Sequence, residues 1–363
     1  MTATTASFPA TVDGVFLPGD STAVLRSYDL PTPGPGQVLL EVGASGICGS
    51  DIGYIYRGYK SHKGLDGAPA YHGVVAGHEP CGTVVAVGED CHRVGLGDRV
   101  VVYHIVGCGL CRNCRAGYFI SCSDERRREA YGWQRDGGHA RYLVAQESTC
   151  IPLPDELTFV DGSLIACGFG TAYEGLVRSR ISGADTLAVV GLGPVGLAAA
   201  MIARCFGVRT VIGVERSAER RDFVASTGLV DHLVAADEDA VANVLALTDG
   251  AGCSVSVDCS GSTPGRTTTL EVVAEWGRVS LLGEGGRLET EVSDTLLHKH
   301  VTINASWVTS LQGMEDLTLL LARSGVHPEA VVSHRFGLDQ ADEAYALAAA
   351  GAAGKVVLVP GLA

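Results

Sequence analysis

Positive charge is what this chain has least of. Its 363 residues carry 27 Lys and Arg against 41 Asp and Glu, a formal net charge of −14, and no run of basic residues interrupts that balance. Nucleic-acid binding rests on basic patches that neutralise phosphates, so no nucleic-acid partner is expected. A basic region followed by an apolar core is also missing from the start, MTATTASFPATVDG, which therefore does not read as a secretory signal. The uncharged segment Leu187 to Ala203 falls short of the roughly 20 apolar residues that cross a bilayer, and three glycines and a proline interrupt it, so no membrane span is expected. Disorder is excluded by a hydrophobic content of 46%, enough for a core in each of the two domains that the length suggests. Cysteine, by contrast, is plentiful. Twelve thiols with no export signal point to a reducing, cytoplasmic compartment and to sulfur available for metal.

The most informative stretch runs from Thr186 to Glu215 and reads as a βαβ unit. Thr186 to Val190 is a short apolar strand suited to burial on both faces, and it ends in Gly191-Leu192-Gly193-Pro194-Val195-Gly196. In such a loop Gly191 permits the tight turn, Gly193 lets the backbone approach a pyrophosphate, and Gly196 lets the following helix lie close to the strand. A second strand, Thr210 to Val214, leads to Glu215, 19 residues beyond Gly196 and near the spacing at which a carboxylate meets the adenosine ribose hydroxyls. Arg216 follows at once and is the residue type that holds the extra phosphate of NADP, but it can do so only once Glu215 has moved away, so NAD is the expected cofactor. Later strands, Cys253 to Asp258, Arg278 to Leu282 and Val301 to Ala305, end in turns that place Ser260, Gly261, Gly283 and Glu284 where cofactors bind in parallel sheets. Helices are expected over Leu317 to Ala322 and Ala341 to Ala350.

Residues 9 to 46 alternate apolar and polar groups between Pro and Gly clusters, the mark of a β-rich domain. Cys108, Cys111, Cys114 and Cys122, at spacings of 3, 3 and 8, can wrap one tetrahedral ion and leave no open position, so that site reads as structural zinc; an iron-sulfur cluster is the rival.

Taken together, GICGSD at 46–51, GHE at 77–79, GDRV at 97–100, the four-cysteine lobe, DGGHARY at 136–142, GLGPVG at 191–196 and GK at 354–355 resemble the zinc-dependent medium-chain dehydrogenase/reductase family over nearly the whole chain. The resemblance implies an α/β architecture. A GroES-like β-barrel catalytic domain would be built from residues 1–168, with the zinc lobe at about 104–125, and from 306–363; a Rossmann doubly wound parallel-sheet domain would occupy 169–305. It implies a catalytic zinc on Cys48, His78 and Cys167, two zincs per chain, and a homodimer or homotetramer. Cys167 comes from the resemblance alone, since spacing does not single it out. Asp51 and Glu79 are then expected to orient His78 or tune the metal, and Thr171 and Arg220 to neighbour the cofactor. Ser50 matches the family's hydroxyl that takes the alcohol proton. Where several relatives place the next relay histidine this chain has Gly53, which leaves ribose and water, His62 or His72 as routes. The reaction implied is reversible hydride transfer from an alcohol carbon to nicotinamide.

Substrate identity is the least constrained feature. Tyr54, Tyr56, Tyr59 and His104 fall where the family places pocket residues, and their polar rings favour a polyol, cyclitol or sugar derivative over a simple alcohol or aldehyde. A non-catalytic zinc-stabilised dinucleotide sensor would keep the lobe and lose a catalytic ligand, whereas all three ligands are present here.

Overall fold

The structure, a computed structural model, describes residues 8–61 and 69–362. The first of its two large sheets is mostly antiparallel, in the order Val332–Phe336, Lys355–Leu358, Gln37–Gly46, Glu79–Val87, Arg99–Val102, Cys150–Pro152, with Tyr142–Gln146 also paired to Gln37–Gly46. Gln37–Gly46 does not alternate cleanly between buried and exposed: Val38, Leu39 and Leu40 are all buried. Both of its faces are covered. Val38, Leu40 and Val42 join Val84, Val100 and Leu143 in one cluster, while Leu39 meets Val12 and Tyr142 under the hairpin of Thr11–Phe16 and Val24–Asp29.

The second sheet has six parallel strands in the order His232–Ala235, Thr210–Glu215, Thr186–Val190, Cys253–Asp258, Val273–Leu281, Thr302–Ala305. In chain order this is 3-2-1-4-5-6, the doubly wound arrangement in which the crevice opens where the order reverses, beyond the ends of Thr186–Val190 and Cys253–Asp258. Leu187, Ala188, Val189 and Val190 are all buried, as a central strand covered on both faces requires.

The helix Leu311–Ser324 packs on the helices Gly170–Arg178 and Pro194–Cys205, after which the chain returns to the first sheet through Val332–Phe336 and Lys355–Leu358. Lys355 thereby reaches the edge of the site from the far end of the sequence. No helix among the described residues is long and apolar enough to cross a membrane.

Candidate active site

Strand register brings the first ligand pair together. Gly46 lies opposite Glu79, so Cys48, two residues beyond one strand, and His78, just before the other, emerge at the same end of the sheet. Cys167 comes from a helix whose start is fixed by a capping box: Thr158 accepts from the Asp161 amide and Asp161 from the Thr158 amide. The buried Asp161 also accepts from the Glu329 amide and pairs with His327, which ties this helix to the C-terminal segment. The helix then widens into a π turn at Ile165–Phe169, and this irregularity aims Cys167 at the site. A second π turn, Ile52–Tyr56, follows Cys48.

One ligand atom each from Cys48, His78, Glu79 and Cys167 lie within 4.8 Å of one another. The Cys48 and Cys167 sulfurs are 3.9 Å apart, close to the ~3.8 Å that two tetrahedral zinc–sulfur bonds of ~2.3 Å would set. Two thiolates at that distance repel, so without a cation they share a proton: the hydrogen bond from Cys167 pulls the Cys48 thiol down, and the same bond pushes Cys167 up. His78 Nδ1 donates to Asp51 Oδ1 at 2.8 Å, which leaves Nε2 for a metal. Behind them the buried Glu79 pairs with Lys355, whose Nζ lies 2.6 Å from Oε2, while Oε1 has no hydrogen-bond partner among the described residues. Burial raises the Glu79 carboxyl to about 7 against the pull of Lys355. A Cβ on Gly46 would stand 2.0 Å from Glu79 Oε2, so any other residue here would displace the carboxylate from its place beside the cluster. Two thiols, an imidazole and an orphaned carboxylate oxygen fit zinc.

The cluster opens into a cavity of about 290 Å³ whose walls include Ser50, His78, Cys167, His104, Trp133 and Glu284. His104 Nδ1 donates to the Ala166 carbonyl at 2.6 Å, and burial, with His78 beside it, pushes its pKa down to about 3, so the ring is neutral. His72 lines the same cavity, and His62 lies outside the described residues. Two of the pocket tyrosines expected from sequence sit elsewhere. Tyr56 is buried with Ile52 and Ile55 on the inward side of its turn and stacks on Tyr345 at 5.4 Å, and Tyr59 covers the barrel edge, donating to the Leu17 carbonyl. Tyr54 rests against Trp133, ring centroids 5.7 Å apart, and its hydroxyl meets Glu284 on the cavity wall. Sequence reading overlooked Trp133, whose indole N–H meets Asp51, and gave Lys355 no role within its GK motif.

In the lobe, the ligand atoms of Cys108, Cys111, Cys114 and Cys122 also lie within 4.8 Å, with Cys108 and Cys114 sulfurs 4.0 Å apart. That separation suits one ion rather than a cluster whose cysteines stand around several irons. Backbone amides point at the sulfurs: Cys111 and Leu110 at Cys108, Cys114 at Cys111, Cys108 at Cys122. The Cys114 amide, helped by that of Ser123, brings the Cys111 thiol down to about 5 and so favours the thiolate a metal needs.

The crevice of the parallel sheet holds the glycine loop. Gly191 has φ +88, and a Cβ there would meet Ser260 Cα at 2.8 Å; a Cβ on Gly196 would stand 1.9 Å from the Gly191 carbonyl oxygen. A Cβ on Gly193 would meet nothing within 4 Å, so this residue, which with Pro194 and Val195 opens the helix Pro194–Cys205, faces open space at a helix N-terminus, the setting in which phosphates bind. Ser260 is held by Asp258, and a Cβ on Gly283 would fall 2.1 Å from the Gly261 amide, so these two turns lie against each other beside the loop. Glu215 is buried at the end of its strand, accepting from the Leu192 and Ser217 amides at 2.8 and 2.9 Å. Arg216 is exposed. Arg220 stands 3.7 Å from Glu215 and donates to the carbonyls of Gly351, Ala352 and Ala353, bridging the two domains. Thr171 is buried in the helix Gly170–Arg178.

Comparison with known proteins points to the same two-domain fold. The alcohol dehydrogenase GroES-like domain matches residues 34–155, and the zinc-binding dehydrogenase domain matches residues 194–323. The chain is 47% identical over 348 residues to the uncharacterized zinc-type alcohol dehydrogenase-like protein YphC of Escherichia coli (strain K12), covering 96% of this chain and 98% of that one. It is 30% identical over 340 residues to an L-threonine 3-dehydrogenase of Pyrococcus abyssi (strain GE5 / Orsay), covering 93% and 95%. A structure assigned as a zinc-binding dehydrogenase from Sinorhizobium meliloti 1021, solved with NADP bound, superposes with a TM-score of 0.83 at 27% identity, over 97% of this chain and 100% of that one. An α/β chain that joins a GroES-like domain to a Rossmann domain, with thiol-rich clusters in the first, and that matches these relatives end to end, is an oxidoreductase and belongs to the zinc-dependent medium-chain dehydrogenase/reductase family.

Proposed function

We propose that this enzyme reversibly oxidises a secondary alcohol of a polyol, cyclitol or sugar-like substrate to the ketone, with NAD as hydride acceptor and one zinc in each of two sites. The observation that carries the reading is the cavity beside Cys48, His78 and Cys167, whose walls include the polar His72, His104, Glu129, Gln134 and Glu284. Such groups bind hydroxyls, whereas a site for a short alkanol gains nothing from them and bears their desolvation. The relative that acts on L-threonine also takes a secondary alcohol flanked by polar groups. Ile105, Ile120 and Val308 on the same wall favour the second reading, a dehydrogenase of simple alcohols or aldehydes.

Cys48, His78 and Cys167 would hold a zinc, which would supply Lewis-acid polarisation of the substrate oxygen. Asp51 keeps the His78 ring in one tautomer and orientation. The Ser50 hydroxyl, on the cavity wall beside these ligands, accepts the proton of the substrate hydroxyl as it gives up its own, which leaves through the cofactor ribose and water or through His72 on the same wall. Gly193 leaves room for the pyrophosphate, Gly191 and Gly196 let the loop and helix pack closely around it, and Glu215 at the strand end accepts the ribose hydroxyls. The zinc of the four-cysteine lobe is structural, because four thiolates leave no position for substrate.

A second copy of the chain is the proposed partner. Thr302–Ala305 is an edge strand, and Trp276, Val292 and Leu297 on that side of the domain are exposed. A cytoplasmic setting agrees with twelve cysteines that form no disulfide.

A screen of alcohols, polyols and cyclitols with NAD, followed by the absorbance of the reduced ring, tests the substrate reading. Higher kcat/KM on a vicinal polyol or cyclitol than on ethanol is expected; a strong preference for ethanol or unfunctionalised alkanols contradicts it.

A further inference from the structure

We propose that Trp133 is a positioning residue for the catalytic ligand set, acting through Asp51; the inference rests on the zinc-site reading above. Asp51 is fully buried, and its carboxylate holds both halves of the first ligand pair. Oδ1 accepts from His78 Nδ1 at 2.8 Å, and Oδ2 from the Cys48 amide at 3.2 Å. The Trp133 indole N–H donates to the same Oδ1 at 3.0 Å. The Cys48 amide anchors Oδ2 but leaves the carboxylate free to turn about that bond and carry the imidazole with it. A second donor on Oδ1, fixed from another direction, removes that freedom.

The indole is itself fixed. Gly132 has φ +74, and a Cβ there would stand 2.7 Å from the backbone nitrogen and carbonyl carbon of Gly77, the residue before His78, so the turn that carries Trp133 is docked on the backbone that carries the ligand. The Trp133 carbonyl accepts from the His72 amide, and its own amide donates to Ala130. Its ring meets the His78 ring edge-on, centroids 6.1 Å apart at 81°, and rests on Tyr54. Trp133 also lines the substrate cavity. Trp133 therefore touches the space where substrate sits on one side and the carboxylate that orients a metal ligand on the other. A substrate that presses on the indole changes the support of His78, and loss of the N–H loosens the metal even when the cavity is empty.

Removing a partner that orients a metal-bound histidine costs about 10–100-fold in metal affinity, and Trp133 stands one bond further out, so the lower end of that range applies. The test uses two replacements in the full-length zinc-loaded enzyme. Trp133→Phe keeps an aromatic ring without the donor, and β-(3-benzothienyl)alanine introduced at position 133 keeps nearly the whole shape of the indole with sulfur in place of N–H. Zinc release to dipicolinate is followed over time, and the four-cysteine site serves as the internal reference for general unfolding. Cobalt is also placed in the catalytic site and its visible ligand-field bands recorded. Expected are about tenfold faster release of the catalytic zinc in both variants, unchanged release from the lobe, shifted cobalt bands, and a lowered kcat at an unchanged KM for NAD. Unchanged release and unchanged cobalt bands in both variants overturn the proposal. So does an effect in Trp133→Phe that the benzothienyl variant lacks, because packing and not the donor would then explain it. A wild-type enzyme that holds zinc only in its lobe would instead overturn the zinc-site reading beneath it.

Discussion

Cys48→Ala and Cys167→Ala are each expected to lower kcat/KM by about 10³-fold or more, the ~4 kcal/mol scale on which Lewis-acid charge stabilisation acts. Cys111→Ala is expected to act on the fold instead. The catalytic cluster is built on elements that other contacts already fix: the Gly46–Glu79 register, the capping box at Thr158, and the pairing of Glu79 with Lys355. Losing one thiol there leaves those supports in place. The lobe is framed more thinly. Phe119 and Ile120 anchor it in the core and the Leu311 amide donates to the Gly117 carbonyl, but the cysteines themselves sit on short turns, three of their sulfurs accepting backbone N–H bonds, so an ion there would hold the segment closed. The thermal midpoint should therefore drop in Cys111→Ala and change little in the other two, with turnover showing the reverse order. Steady-state kinetics and thermal unfolding on the same three preparations check this. Equal loss of activity at full stability in all of them contradicts the division.

What the sequence made legible was local. The strand Thr186–Val190, its glycine loop and the acid at Glu215 lie within one short stretch; Gly191 and Gly196 answer to close approaches that the structure contains, and Gly193 faces open space. Helix boundaries were less legible: the apolar period marks Leu317 to Ala322, but the helix runs Leu311–Ser324 from a Ser310 cap to a left-handed Gly325. The strand expected from Arg278 begins at Val273, because a register shift and the positive φ of Trp276 break the pattern across its first residues. His232–Ala235 is short and partly exposed and gave no signal.

The site divides the same way. Spacing exposed the lobe, whereas Cys167 needed the family resemblance, because nothing local distinguishes a thiol in a π turn from one in the core. Lys355 and Trp133 act on Glu79 and Asp51 across hundreds and tens of residues of chain, and only the folded chain brings them together. Tyr56 was misplaced because a polar ring was given more weight than its position beside Ile52 and Ile55, which turns it inward.

Cofactor choice carries the other large effect. Wild-type enzyme is expected to favour NAD over NADP by about 10²–10³-fold in kcat/KM, since two like charges at about 4 Å repel by ~4 kcal/mol at an effective dielectric near 20. Glu215 is well placed to impose this. Its two oxygens accept from the Leu192 and Ser217 amides, and those bonds would have to break for it to swing aside. Glu215→Ala should bring the ratio close to one or reverse it, because Arg216 is exposed next to the vacated position and Arg220 lies 3.7 Å from the carboxylate it replaces. A wild-type ratio that favours NADP would show that the arginines set the pocket.

The most direct test of the central claim, that turnover depends on a zinc at Cys48, His78 and Cys167 distinct from the one in the lobe, is to count zinc and activity together. Purified enzyme should contain two zincs per chain. Cys167→Ala should contain one, remain folded and show no hydride transfer to NAD with any alcohol the wild type accepts. Full activity in a chain that holds a single zinc bound by the four-cysteine lobe would contradict the account.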